Sequence, residues 1–133
     1  MAVAARRPAA GIQRALYQRL TAAGLAVYDH VDETAEGVYV TIGEISTESA
    51  RNAHDRFGRD TTVWVHVWDR QRTWDRVNAA ADRITELVDH QPMTVPGHHV
   101  VSVTFEFGQN LWDENPEIRH VALRFRITTE QEE

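Results

Sequence analysis

The chain contains no cysteine and no lysine in 133 residues. Without thiols it can build no disulfide framework, no thiolate metal site and no thiol nucleophile. All fourteen basic residues are arginine, a usage that matches a nucleotide-composition bias and carries no functional weight. No apolar run is long enough to span a membrane. The opening MAVAARRPAAG passes into the mixed IQRALYQRL instead of an apolar stretch, which predicts no secretory leader and a cytoplasmic product. The glycines are scattered, with neither a Gly-x-Ser-x-Gly elbow nor a phosphate-cradling loop. A net charge of −6 argues against a chain whose main task is gripping nucleic acid, because neutralising phosphates dominates such affinity.

What is present fits one domain, residues 1–133, large enough to bury a two-layer core without staples. In AAGIQRALYQRLTAA (residues 9–23), Ile12, Leu16 and Leu20 recur at helical spacing, and Gly24 supplies a stop. VYVTIGE (38–44) alternates Val38, Val40 and Ile42 against Tyr39 and Thr41, a strand. EISTESARNAHDRFGR (44–59) has no clear period and much charge, which predicts a long loop. Residues 60–69 form a second strand. From Thr73 the period changes: Trp74, Val77, Ala81, Ile84 and Val88 predict an amphipathic helix to about His90, capped by Thr73 or Asp69, with Trp74 in the core. VVSVTFEF predicts a third strand with Val101, Val103, Phe105 and Phe107 on one face. A loop, GQNLWDENPEI, precedes the fourth strand, RHVALRFRIT (119–128). Residues 1–8 and 129–133 read as flexible tails.

The order α-β-β-α-β-β predicts an α+β fold: four strands in one mixed or mainly antiparallel sheet, with two helices packed on one face. The aliphatic positions of all four strands go under the helices. The opposite face then carries Tyr39, Thr41, Trp64, His66, Trp68, Thr104, Arg124 and Arg126, and little is left in the chain to cover it. Trp and Arg are the types enriched at binding hot spots. Trp64, His66, Trp68, Arg124 and Arg126 are therefore candidate interface residues, the plain alternative being that loop 44–59 folds over them. A different class of function uses the same face as the pocket of a small ligand-binding dimer, which requires concavity and a few convergent polar groups.

The seven histidines suggest no metal site: none forms His-x-x-x-His, and adjacent His98 and His99 point to opposite faces of a strand. Ser46, Ser49 and Ser102 are the possible nucleophiles, and none lies in a catalytic signature. The carboxylates of DETAE and WDENPE fall in predicted loops. No catalytic residue, metal or cofactor is expected.

VYVTIGE (38–44), VWVHVWDR (63–70), ADRITELVDHQPMTVPGHHVVSVTFE (81–106) and RHVALRFRIT (119–128) together resemble the tail-completion, or tail-terminator and head-to-tail joining, proteins of long-tailed bacteriophages. The resemblance covers Ile12 to Thr128. It departs at the turn before the last strand, where this chain has WDENPEIRH in place of a short Asp-Pro-Asp-Gly-like turn. It implies a virion subunit, not an enzyme, assembled in the host cytoplasm as a homo-oligomeric, sixfold ring at the head-proximal end of the tail. Such a ring ends the tail tube, docks the head connector and lets genome DNA through without specific binding; no membrane is involved. On this resemblance Glu44, Glu48, Arg51, Arg56 and Arg59 belong to a loop that meets a partner or lines the lumen. That loop is expected to be mobile in the free subunit and ordered by partners. Acidic residues, Glu44, Glu48 and Glu33 or Glu36, are expected to outnumber arginine around the hole.

Overall fold

Ile12, Leu16 and Leu20 lie one turn apart and are completely buried, which fixes the inward stripe of the first helix, α1 (Ala9–Ala22). In this computed structural model, which describes residues 4–30, 35–50 and 57–132, the helix closes as the glycine predicts. Gly24 takes φ +89°, its N–H donates to Thr21 O at 3.0 Å, and the N–H of Leu25 reaches back to Leu20 O at 3.1 Å. This is a Schellman closure, which needs a residue in the left-handed region at that position. The second helix, α2 (Asp75–Val88), buries Val77, Ala81, Ile84 and Val88 on one stripe. Neither Thr73 nor Asp69 caps it: Trp74 occupies the cap position without a side-chain bond. Asp69 instead accepts from Arg76 Nη2 at 2.9 Å. Burial pushes the Asp69 carboxyl above its ordinary pKa, against the pull of Arg76. Trp74 is only half-buried, at the rim of the core.

The fold is α+β, with five strands instead of four: β1 (Val27–Tyr28), β2 (Tyr39–Ser49), β3 (Arg59–Asp69), β4 (His98–Trp112) and β5 (Arg119–Gln131). Their order in the sheet is β1-β2-β3-β5-β4. β1 runs parallel to β2, and every other pairing is antiparallel. The missing strand is two residues long, too short to show a period, and is held by the Val40 N–H on Ala26 O at 2.8 Å.

Residues 44–49 are strand, not loop, and a bulge explains the difference. Register slips between Ile42 and Ile45, so two residues three apart both pack against the core. That spacing hides the strand from a period-two reading. β2 continues to Ser49, and the Ala50 N–H donates to Gly58 O at 2.9 Å beyond it; residues 51–56 lie outside the described residues. Two further bulges, Val100/Ser102 and Phe105/Phe107, break the alternation of β4. Val103 stays inward, whereas Val101 is exposed and Phe107 moves to the other face. β4 also runs on through residues 108–112, expected as loop.

The chain ends are tied rather than loose where they are described. Gln131 accepts from the Arg6 N–H at 2.8 Å and donates to Ala4 O at 2.7 Å, a side-chain clip between the N-terminal arm and the last strand. The core lies between the helices and one face of the sheet, with Val40, Val63, Val65, Val67, Phe125 and Ile127 wholly buried. Each fully buried aliphatic side chain contributes about 1.5–3 kcal/mol. Among the described residues no helix is long and apolar enough to cross a membrane.

Candidate functional site: an aromatic sheet face

Because paired residues share a face, the register sets out the side of the sheet away from the helices as rows. Tyr39, Trp68 and His120 form one row, Thr41, His66 and Ala122 the next, then Trp64, Arg124 and Phe107, then Thr62, Arg126 and Thr104. Every residue expected on the open face is there. Trp64, His66 and Trp68 are each half-buried, with their aliphatic neighbours Val63, Val65 and Val67 turned fully inward.

The rings of this face lie against one another. Tyr28 stacks on Tyr39 at 5.1 Å between centroids, and Tyr39 on Trp68 at 6.4 Å. His120 lies flat on Trp68, 3.7 Å away and within 8° of parallel. His66 meets His120 through Nδ1 and Nε2, 2.8 Å apart, a bond that requires a bare nitrogen on one ring. Trp64 lies beyond His66, nearly parallel to it, and meets Phe107 edge-on at 6.2 Å. Trp68 donates its indole N–H to Thr41 Oγ1 at 3.1 Å, so its polar edge is satisfied and its ring stays apolar. Gly43 is required beneath this stack: a Cβ there would come within 2.8 Å of the His66 ring.

Both imidazoles are held neutral. Burial lowers the His66 pKa, with Glu44 pulling it back in part. His120 falls to about 4 through burial and then through the field of His66, with Asp113 opposing. The fixed charge of the face lies farther along β5. Arg124 sits 5.3 Å from the centroids of both Trp64 and Phe107. Glu106 bridges Arg124 Nε at 3.4 Å and Arg126 Nη2 at 3.0 Å. The longer separation is an ion pair only, and Arg124 Nε has no hydrogen-bond acceptor among the described residues. A layer of stacked rings with a guanidinium laid over it resembles a protein interface core more than a cleft for a small ligand.

Residues 14–130 match the family model described as tail completion protein gp17. The chain belongs to that family. No curated protein matches it by sequence. In fold it is similar to a chain of the virion of a native gene transfer agent particle, with a TM-score of 0.78 at 23% identity, over 95% of this chain and 99% of that one. This family member is thus a structural virion protein, a component of a phage-type tail.

The remaining predicted positions separate. Glu44 is exposed at the β2 bulge, and Glu48 lies opposite Asp60 farther out on the same hairpin. Arg59 donates to Gly58 O at 2.9 Å and lies 5.9 Å from the Phe57 ring. Arg51 and Arg56 lie outside the described residues. His98 is buried and His99 exposed, as opposite-pointing neighbours must be. Sequence reasoning missed His120, Phe107, Glu106 and Tyr28. His120 was findable, two positions before Ala122 in the same alternation. Phe107 was not, because only the bulge turns it outward.

Proposed function

We propose that this chain forms a sixfold ring at the head-proximal end of the tail, where it ends the tail tube and joins it to the head connector. The open aromatic face carries this reading. Among the described residues the sheet is shielded by helices on one side only, and its other side, with two tryptophans and two arginines, favours burial against neighbouring subunits. Trp64, His66, Trp68, Arg124 and Arg126 form that surface, and a neighbour's loop covers the indoles. The β2–β3 hairpin, with Glu44, Glu48 and Arg59, reaches a partner or the lumen; Arg51 and Arg56, expected to act with them, lie outside the described residues. The protein performs no chemistry and passes genome DNA without gripping it, which its acidic balance favours.

Imaging of the native particle with this chain located in it tests the position. Trp64→Ala tests the surface, with an expected loss of about 2 kcal/mol in assembly while the monomer stays folded. Both indoles covered solely by their own chain in the assembled particle would sink the reading.

A further inference from the structure

Trp112, at the end of β4, is 76% exposed, the most open of the large apolar side chains among the described residues. The turn that follows it is acidic: residues 113–117 hold the carboxylates of Asp113, Glu114 and Glu117 and no basic side chain. This turn is held by its own bonds. Asp113 accepts the Asn115 N–H at 3.0 Å. Asn115 accepts the Glu117 N–H at 2.9 Å through its side chain and the Ile118 N–H at 3.0 Å through its carbonyl. Pro116 O accepts from Arg119 Nη1 at 2.8 Å. At the foot of the turn Arg119 lies 5.1 Å from the Trp112 ring, which Trp74 meets edge-on. Those contacts fix the indole without covering it. A bulky ring held in place beside solvated carboxylates has the make-up of an interface anchor, not of a core.

The open face of the sheet has the opposite need. Arg124 and Arg126 share the single carboxylate of Glu106, and their side chains remain 37% and 46% exposed. Beside them Trp64 is half-buried and Phe107 exposed. A tip that carries carboxylates and an indole together supplies both the missing negative charge and the apolar cover. It cannot reach the face of its own chain, because from Arg119 at the foot of the tip to Arg126 the strand β5 runs roughly 23 Å. The tip of another copy can.

Strand order puts the two surfaces at one level across the sheet. The tip joins β4 to β5; Arg124 and Arg126 lie on β5, Phe107 on β4 and Trp64 on the adjoining β3. Rotation about an axis in the plane of the sheet and across the strands preserves that level, and it swings the open face of a second copy toward the strand ends of the first. The contact needs no strand pairing and no slide along the axis, and its repetition closes head to tail. We propose that the β4–β5 tip of each copy docks on the open face of the next, with Trp112 against Trp64 and Phe107 and with Glu114 facing Arg124 and Arg126. The contact rests on the ring reading above and names the loop that covers the face.

A chain without cysteine allows a clean test. Pro116→Cys at the tip is combined with Thr62→Cys, which shares the open face with Arg126, and particles carrying the variants are treated with a short bismaleimide and run on denaturing gels. The double variant should give a ladder of covalent multimers ending at the closed ring, and each single variant should give monomer. Dimers from Pro116→Cys alone would mean that two tips meet across a twofold, and would overturn the proposal. So would multimers from Pro116→Cys paired with Arg83→Cys, exposed on α2, in place of Thr62→Cys. A double variant that stays monomeric in particles whose images show the ring would overturn it as well; images without a ring would refute the ring reading itself. In the cross-linking background Trp112→Ala and Glu114→Arg should each cut the ladder about tenfold, with the urea midpoint of the isolated chain unchanged. Where Trp112→Ala lowers that midpoint, Glu114→Arg at the exposed apex decides, and an undiminished ladder from it would overturn the proposal.

Discussion

Acid should loosen the aromatic face before it unfolds the core, and His120 sets the window. The imidazole pair works only while one nitrogen is bare, and both rings have pKa values below the ordinary 6.5, His120 at about 4. A folded-state pKa below the unfolded one means that the unfolded chain binds more protons between those limits. Stability from this group is therefore complete above pH 6.5 and is lost as pH falls toward about 4. At 1.36 kcal/mol per pH unit the fall from 6.5 to about 4 is worth at most about 3.4 kcal/mol. The ring is half-buried, and solvent screening reduces this to roughly 1–2 kcal/mol. Asp69 acts in the opposite sense: with its pKa raised, its contribution is present at low pH and lost as pH rises through that value. The measurement is therefore a difference. Urea unfolding of the wild-type chain and of His120→Gln, from pH 7.5 to 4, isolates the histidine because the Asp69 contribution is common to both. The wild-type advantage should shrink by roughly 1–2 kcal/mol across the window. Proton NMR of the two imidazoles should show His120 still neutral at pH 5.5. A His120 that titrates at or above 6.5, or parallel pH profiles for the two chains, would refute the reasoning.

Gly43→Ala places a methyl group within 2.8 Å of the His66 ring and should cost about 1–3 kcal/mol of stability by urea unfolding, with the His66 resonances shifted; an unchanged midpoint would show that the ring is not confined. Phe125→Ala removes a wholly buried ring that meets Phe105 edge-on at 5.9 Å, and calorimetry should show a loss of about 3–5 kcal/mol. Titration of the purified protein with duplex DNA at near-physiological salt should show no sub-micromolar binding. A steep salt slope there would contradict the non-gripping conduit.

The fold was legible wherever a single period ran unbroken. Ile12, Leu16 and Leu20, the Val63, Val65 and Val67 run, and the alternation of Val121, Leu123, Phe125 and Ile127 with Ala122, Arg124 and Arg126 put each face where the structure has it. It was illegible wherever an inserted residue reset the period. The bulge after Ile42 made the outer half of β2 look like loop, and the bulge after Phe105 placed Phe107 on the wrong face. The mutual arrangement of the rings was beyond the pattern as well. Alternation says that Trp68 and His120 share a face, but only the β3–β5 register makes them direct partners at 3.7 Å.

That register bears on how the proposed surface would work. Ordering a rotamer-rich side chain at an interface costs about 0.5–1.5 kcal/mol for each one immobilised. Here much of the ordering is complete within the isolated subunit. Trp68 is fixed by Thr41 and His120, and Arg124 lies over Trp64 and Phe107 while Glu106 holds its guanidinium beside that of Arg126. Lysine could not take the place of Arg124, since a flexible ammonium has no plane to stack on two rings while facing a carboxylate. One carboxylate between two guanidiniums also leaves the arginines only partly neutralised, on a chain that is acidic as a whole. Such a face favours a partner that brings its own acidic group and apolar cover, and it disfavours self-stacking of two identical open faces, which would set arginine against arginine. A surface with that bias suits the heterologous contacts of a closed ring better than the isologous contact of a twofold dimer.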